Sequence, residues 1–236
     1  MPKKLSTFLL PTAGLLWLGC AALGFAWLGS RDNSAGDAGH PPAQWQPSSA
    51  SRNPAKPTLV MLIHPQCPCS RASLSELNRL MALCPNRAAV LVFFLKPPGC
   101  TAAWAKTSLW RQASAIPGVA VCVDDNGKVA RRFGAATSGE ALVYAPSGRL
   151  LYAGGLTGAR GHEGDNAGLS AVAALLGEQP QAWSKMNAGR EPVYGCPLFG
   201  GPLFGGPAHD CPAAAAQTKT AAQTKTRGSG GASWLP

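Results

Sequence analysis

The stretch PTLVMLIHPQCPCSRASLSELNRLMAL, residues 57–83, decides the fold class of this chain. Residues 57–63 form a short apolar run rich in β-formers, which predicts a buried strand. Residues 70–83 place leucines at helical spacing around an internal Ser-x-x-Glu pattern, which predicts a helix. The sequence Cys67-Pro68-Cys69 stands at the elbow between the strand and the helix, and it is the strongest chemical signal in the chain.

Further strand and helix signals alternate along the chain on the C-terminal side of this unit. Strands are predicted at 88–95, 119–123, 141–144 and 150–153. Helices are predicted at 104–113, 129–133 and 167–176, the last of them capped by Asn166 or Asp165. This order predicts an α/β fold, with a mixed β-sheet that carries helices on both faces.

The N-terminal region predicts a membrane anchor. Leu5–Gly29 contains no charged residue and is longer than the roughly 20 residues that span a hydrocarbon core. Lys3 and Lys4 precede it, so the positive-inside rule predicts a cytoplasmic N-terminus and a domain on the outer side of the membrane. A cleaved signal peptide or a lipid-modified Cys20 fits less well, because the apolar run continues to Leu28.

The predicted organisation has four parts. A transmembrane anchor covers 1–30, a flexible linker 31–56, the folded domain 57–195, and a repeat-containing disordered tail 196–236. The 236 residues include 28 Gly and 21 Pro, more than the usual share, and much of this surplus lies in the linker and the tail. The net charge is +10, but the sequence contains no Lys/Arg run with interleaved aromatic residues. We therefore expect no nucleic-acid partner.

The elbow predicts a reactive thiol. Pro68 suits the first turn of a helix, where its missing N–H group costs no hydrogen bond, so we expect Cys67 at the helix cap. First-turn amides and the helix dipole there would lower the pKa of Cys67 from its usual value of about 8.5. A thiolate is the species that attacks a disulfide, and His64 could add a positive charge or carry a proton.

A buried strand, a Cys-Pro-Cys elbow and a helix resemble the active-site region of the thioredoxin fold, and the element order over 57–176 resembles that fold. More narrowly, the chain is similar to membrane-anchored, thioredoxin-like bacterial proteins labelled RedB. The segments that carry this similarity are HPQCPCSRASLSEL at 64–77, TSGEALVYAPSGRLLYAGGLT at 137–157 and RGHEGDN at 160–166. The resemblance implies protein thiols or disulfides as substrates, a membrane or periplasmic redox partner, and no cofactor.

The chain departs from the thioredoxin pattern at two places. Thioredoxins carry Cys-Gly-Pro-Cys, whereas here a single residue separates the cysteines. If Cys67 matches the nucleophile, Ser70 stands at the position of the resolving cysteine; if Cys69 matches the resolving cysteine, Gln66 stands at the position of the nucleophile. Residues 137–139 replace the cis-proline that related proteins place before the fourth strand, so Thr137, Ser138 and Gly139 are predicted to form the substrate-side loop.

A second loop is predicted to lie near the thiols. If the fold is thioredoxin-like, the loop RGHEGDN at 160–166 should lie at the same end of the sheet as Cys67. Arg160 or His162 would then set the pKa of the thiolate or recognise an acidic partner. A simpler interpretation is that this loop only caps the last helix.

The cysteines leave several functions open. Seven of the eight cysteines lie beyond the anchor, an odd number for a compartment that favours disulfides, so at least one is free, intermolecular or catalytic. The first hypothesis is a thiol–disulfide oxidoreductase, with Cys67 attacking and Cys69 or Cys196 resolving. The second is a Cu(I)-binding or delivery module that uses His64, Cys67 and Cys69. The third is a non-catalytic adaptor; the oligomeric state and the physiological substrate stay open.

Overall fold

The computed structural model describes residues 3–46, 52–178 and 180–200 of the chain. The helices are α1 (Lys3–Asp32), α2 (Ser70–Leu83), α3 (Ala102–Ala105), α4 (Ser108–Ser114), α5 (Lys128–Arg132), α6 (Ala167–Gly177) and α7 (Pro180–Trp183). The strands are β1 (Thr58–Ile63), β2 (Ala89–Lys96), β3 (Val119–Asp125), β4 (Glu140–Tyr144), β5 (Leu150–Gly154) and β6 (Gly189–Arg190).

The strands form one mixed sheet in the order β3-β2-β1-β4-β5-β6. β1, β2 and β3 are parallel neighbours, and α2 makes the crossover from β1 to β2. β4 runs antiparallel to β1, and β5 runs antiparallel to β4. This topology confirms the predicted fold class, a thioredoxin-like mixed sheet flanked by helices. It also places the loop after β1 and the segment before β4 at the same end of the sheet, because β1 and β4 are antiparallel neighbours.

Alternating residues of β1 feed two separate cores. Leu59, Met61 and Ile63 pack on one face, against apolar side chains of α2, α4 and α6. Val60 and Leu62 pack on the other face, where α5 and Leu198 contribute side chains. β1 is buried along its whole length, and a central strand covered on both faces accounts for its continuous apolar sequence.

Helix α1 is a candidate transmembrane span. Its 22-residue segment Pro11–Asp32 has a mean hydropathy of 1.5 and is long and apolar enough to cross a membrane. The end of the helix contacts the domain, since the backbone N–H of Arg160 donates a hydrogen bond of 2.9 Å to the carbonyl oxygen of Asp32.

Part of the predicted linker lies along the domain. The backbone N–H of His40 bonds to Gly134, and the N–H of Trp45 bonds to Gly148. The indole of Trp45 packs edge-on against the rings of Phe133 and Tyr144. Residues 47–51 and 201–236 lie outside the described residues, so the linker and tail boundaries stay predictions.

The predicted helix at 104–113 is two short helices in the structure. α3 ends at Ala105, and Thr107 is the extended N-cap of α4. The Thr107 hydroxyl donates a hydrogen bond of 3.0 Å to the carbonyl oxygen of Pro65, in the loop after β1. The interruption therefore ties this helical region to the Cys-Pro-Cys elbow, a long-range contact that local periodicity does not encode.

Candidate functional site

The elbow after β1 is a series of tight turns. The backbone N–H of Cys67 donates to the His64 carbonyl oxygen at 3.0 Å, and the N–H of Ser70 donates to the Cys67 carbonyl oxygen at 3.2 Å. Cys69 is the N-cap of α2, with helical backbone angles and no side-chain capping bond. The prediction that Cys67 caps this helix was therefore wrong by two residues, because an extra turn at 67–70 precedes the helix proper.

Three sulfur atoms meet at this elbow. The Sγ atoms of Cys67, Cys69 and Cys196 all lie within 4.8 Å of one another, and all three thiols are free. Cys67 has 0% of its surface exposed, Cys196 has 7%, and Cys69 is half-buried. The chain thus brings together the predicted nucleophile and both predicted resolving thiols, although Cys196 is 129 residues from Cys67 in sequence.

Hydrogen bonds within the cluster distribute the protons unequally. The thiol of Cys196 and then that of Cys69 donate to the Cys67 sulfur, and they lower the pKa of Cys67 strongly despite its burial. The Ser70 hydroxyl and the backbone N–H of Cys196 act in the same direction, the latter at 3.4 Å from the Cys67 sulfur. The Cys67 thiolate is therefore stabilised by neighbouring donors rather than by helix-terminal amides.

The other two thiols of the cluster hold their protons. The pKa of Cys196 is raised because its thiol donates to Cys67 and Cys69, with burial adding to the effect. For Cys69 the largest influence is a hydrogen bond with Cys196 that lowers the pKa, but donation to Cys67, burial and the charge of Cys67 together raise it. These opposite directions favour Cys67 as the thiolate of the cluster, the species that attacks in thiol–disulfide exchange.

The segment before β4 joins the elbow through Ser138. Its hydroxyl accepts a hydrogen bond of 2.7 Å from the backbone N–H of His64, and its Oγ lies 2.7 Å from that of Ser70. Gly139 has a φ of +93° and donates its N–H to the Leu62 carbonyl oxygen at 2.8 Å. The described residues contain no cis peptide bond, so residues 137–139 take the place of the cis-proline loop with trans backbone.

Backbone pairing holds Cys196 over the elbow. We call residues 195–198 the Cys196 segment. The N–H of Ser138 donates to the Cys196 carbonyl oxygen, and the N–H of Leu198 donates to that of Ala136, both at 2.8 Å. Thr137 and Pro197 form an antiparallel bridge between these two bonds. The Cys196 segment thus pairs with residues 136–138 as a short added strand, and it covers Cys67.

The loop at 160–166 contributes Arg160 to the site. The Arg160 side chain donates hydrogen bonds to the carbonyl oxygens of Ser34 and Gly195, and its positive charge acts to lower the pKa of Cys69. His162 is exposed to solvent on the same loop. Asp165 pairs with Arg79 of α2 at 2.6 Å. The catalytic roles of Arg160 and His162 stay predictions.

His64 is buried beside the elbow rather than within the sulfur cluster. Its side chain is 1% exposed and packs edge-on against Trp104, with ring centroids 5.7 Å apart. Its Nδ1 accepts a hydrogen bond from the Gln66 N–H at 3.3 Å. The sequence suggested His64 as a possible metal ligand beside Cys67 and Cys69, whereas the structure groups those two cysteines with Cys196.

Two further cysteines lie away from the site. Burial raises the pKa of both Cys84 and Cys122, which makes them poor nucleophiles at neutral pH. Cys84 caps the C-terminus of α2, and Cys122 packs against the second core face. They provide matched controls for the reactive cluster.

Gly195 was not predicted as a site residue. A Cβ atom at this position would clash with the carbonyl oxygen of Ser138, so the close approach of the two backbones needs glycine. Its place directly before Cys196-Pro197 was the available sequence signal. The hydrogen-bonded role of Ser138 was also missed, because it depends on contacts with residues far away in sequence.

No protein-family model matches the chain, and no curated protein matches it. An uncharacterized conserved protein from Geobacillus kaustophilus is 17% identical with a TM-score of 0.48, over 72% of this chain and 94% of that one. A hypothetical protein from Sinorhizobium meliloti 1021 is 18% identical with a TM-score of 0.49, over 70% of this chain and 95% of that one.

The chain is also similar to a solved structure that is named as a thioredoxin. The pneumococcal exposed lipoprotein thioredoxin Etrx1 of Streptococcus pneumoniae strain TIGR4 is 18% identical with a TM-score of 0.37, over 52% of this chain and 85% of that one. At these values the similarities say nothing about the activity of this chain. The fold assignment rests on its own strand order and connections.

Proposed function

We propose that this protein is a membrane-anchored, extracytoplasmic thiol–disulfide oxidoreductase with Cys67 as its nucleophile. The observation that carries the proposal is the meeting of three free thiols at the elbow between β1 and α2. Two of them come from one turn, and the third is held there by backbone pairing with residues 136–138. Structural thiols need no such convergence, whereas thiol–disulfide exchange needs a nucleophile and a second thiol within reach.

The exchange proceeds in two balanced steps. The Cys67 thiolate attacks one sulfur of a protein disulfide, forms a mixed disulfide and releases the other substrate sulfur as a thiolate, which takes up a proton. Cys69 or Cys196 then loses its proton and attacks the Cys67 sulfur, which releases the second substrate thiol. The substrate disulfide is reduced, and a disulfide within this chain is formed; a membrane or periplasmic redox partner returns the chain to its dithiol form.

Both resolving thiols are within range of Cys67, but they differ in the ring that they would close. Cys69 is separated from Cys67 only by Pro68, so their disulfide would close a very small ring. Cys196 belongs to a separate segment and already donates its backbone N–H to the Cys67 sulfur. We therefore favour Cys196 as the resolving thiol. Ser70, at the resolving position of the thioredoxin pattern, positions the elbow by its contact with Ser138.

The location is part of the same proposal. Lys3 and Lys4 at the start of α1 support a cytoplasmic N-terminus and a domain in the periplasm of a bacterial cell. The resemblance of residues 64–77, 137–157 and 160–166 to proteins labelled RedB supports the same anchored, redox-active arrangement. We infer that substrates are protein thiols or disulfides that reach the outer side of the inner membrane.

The test is disulfide reduction by the full-length protein in detergent. Cys67→Ser should abolish reduction of insulin disulfides, because Cys67 is the one thiol of the cluster whose pKa is lowered. Loss of the true resolving thiol should instead arrest the protein as a mixed disulfide, visible on a non-reducing gel. We therefore compare Cys196→Ser with Cys69→Ser. The variant that accumulates the mixed disulfide has lost the resolving thiol.

Cys84→Ser is the matched control, since Cys84 is a free, half-buried thiol at the far end of α2. It should reduce insulin at the wild-type rate. An undiminished rate in Cys67→Ser would rule out the proposed nucleophile.

One observation favours a second candidate, a non-catalytic adaptor. The Cys67 side chain has no exposed surface, because the Cys196 segment lies across it. An adaptor would keep this segment in place and would use the elbow only as a packed structural unit. In that case no variant of the three cysteines alters insulin reduction, and Cys67 resists alkylation unless the protein is unfolded.

A further inference from the structure

The three-thiol cluster has the dimensions of a metal site. An ion at the centre of three sulfur ligands, with metal–sulfur distances of about 2.3 Å, holds those sulfurs about 4.0 Å apart. The sulfurs of Cys67, Cys69 and Cys196 lie within 4.8 Å of one another. Closing around an ion therefore needs only small side-chain movements and no rearrangement of the backbone.

The ligand set selects the kind of metal. All three ligand atoms are sulfur, and in the described part of the chain no carboxylate or imidazole belongs to the cluster. Hard ions such as Mg²⁺ and Ca²⁺ prefer oxygen ligands, and structural Zn²⁺ sites are closed by four ligands. Three soft thiolates without a fourth ligand suit Cu(I).

The surroundings of the cluster also suit a soft ion. Cys67 is fully buried and Cys196 is 7% exposed, so two of the three sulfur ligands are shielded from water, and only the half-buried Cys69 is partly exposed. The backbone N–H of Cys196 points to the Cys67 sulfur, and the guanidinium of Arg160 lies close enough to influence Cys69 electrostatically. These groups offset part of the negative charge of a Cu(I) ion bound by three thiolates.

The third ligand is held in advance by the fold. Hydrogen bonds of 2.8 Å from Ser138 to Cys196 and from Leu198 to Ala136 fix the backbone on both sides of Pro197. The Arg160 side chain adds a hydrogen bond to the carbonyl oxygen of Gly195. A ligand positioned in this way loses little conformational freedom when it binds an ion.

From this geometry we propose that Cys67, Cys69 and Cys196 form a three-coordinate thiolate site for Cu(I). Binding joins one Cu(I) ion to three sulfurs, releases the remaining thiol protons to solvent, and changes no oxidation state. The bound ion occupies every thiol that exchange would use, so the Cu(I)-loaded form does not reduce disulfides. The site differs from the alternative ligand set of His64, Cys67 and Cys69 that the sequence suggested, because Cys196 supplies the third ligand.

The test uses full-length, reduced protein in detergent under anaerobic conditions, with Cu(I) supplied as its bicinchoninate complex. We expect one Cu(I) per chain, and X-ray absorption should show three sulfur neighbours at a single distance and no nitrogen. Cys196→Ser should weaken Cu(I) binding by more than about 100-fold, since even the loss of a residue that only orients a metal ligand costs about 10–100-fold. Cys84→Ser is the matched control and should bind as the wild type does.

Three results would overturn the site. One is a nitrogen neighbour in the X-ray absorption spectrum, which would indicate His64 as a ligand. Another is unchanged Cu(I) affinity in Cys196→Ser that retains the wild-type circular dichroism spectrum. The third is Zn²⁺ binding that withstands Cu(I) competition. Insulin reduction by the metal-free protein is measured separately, so a failed Cu(I) site leaves the oxidoreductase proposal standing, and failed reduction leaves the metal site standing.

Discussion

Glu140 should make the domain less stable as the pH rises towards 7. This carboxyl group starts β4, directly after the segment that pairs with Cys196, and only 2% of the residue is exposed. Burial raises its pKa from 4.5 to about 7, although hydrogen bonds from the backbone N–H groups of Ala136 and Thr137 and the charge of Arg190 act in the opposite direction. The folded protein therefore binds a proton that the unfolded chain has already released.

The sign and size of the effect follow from this difference. Between pH 4.5 and about 7 the folded state carries one more proton than the unfolded state, so the free energy of unfolding falls as the pH rises. Stability from this group is complete below pH 4.5 and is lost by about pH 7. The loss is about 3 kcal/mol, a large part of the stability of a domain of this size.

The perturbation is Glu140→Gln, a neutral side chain of the same shape. Its amide oxygen can still accept the hydrogen bond of 3.1 Å that the Ala136 N–H gives to the carboxylate. We expect the variant and the wild type to unfold with similar free energies at pH 4.5, and the variant to be more stable by about 3 kcal/mol at pH 8. Glu178→Gln, which removes an exposed carboxylate after α6, is the control for the change in net charge.

The assay is urea unfolding of the reduced full-length protein in detergent, followed by tryptophan fluorescence at several pH values. Parallel stability profiles for the wild type and Glu140→Gln from pH 4.5 to 8 would falsify the reasoning. A steeper loss of stability in Glu140→Gln than in the wild type would contradict it as well.

Three other predictions concern the packing around the thiols. Gly195→Ala should push the Cys196 segment away from Ser138 and raise the alkylation rate of Cys67 by about fivefold, because a lost backbone hydrogen bond contributes about 1 kcal/mol; mass spectrometry measures the rate. Arg160→Ala should raise the pKa of Cys69, read from the pH dependence of its alkylation, because the stabilising positive charge is gone. Ser138→Ala should destabilise the domain by about 1–3 kcal/mol in urea unfolding, since the buried His64 N–H then loses its acceptor.

Each of these predictions has a matched control. Gly177→Ala adds a Cβ atom that meets nothing within 4 Å, so it should leave Cys67 alkylation unchanged. His162→Ala removes an exposed side chain from the loop that carries Arg160, and an equal effect on Cys69 would argue against a specific charge effect of Arg160. Ser170→Ala removes an exposed hydroxyl from α6 and should change stability far less than Ser138→Ala.

Local sequence patterns determined much of the architecture. The apolar run of β1 and the leucine spacing of α2 predicted both elements, and α2 has the predicted bounds Ser70–Leu83. Asn166, one of the two caps predicted for α6, accepts a hydrogen bond of 2.8 Å from the N–H of Leu169. These features were predictable because the interactions that stabilise them involve residues close in sequence or a regular apolar pattern along one element.

The arrangement of the site was decided by tertiary structure. The sequence singled out Cys67, Cys69 and Cys196 as thiols worth considering, but it could not say that all three meet within 4.8 Å. It placed Cys67 at a helix cap, whereas the Cys67 thiolate is stabilised by donors that include Cys196, 129 residues away. Contacts of such sequence separation depend on the strand order of the sheet and on the pairing of residues 136–138 with the Cys196 segment, and neither has a local signature.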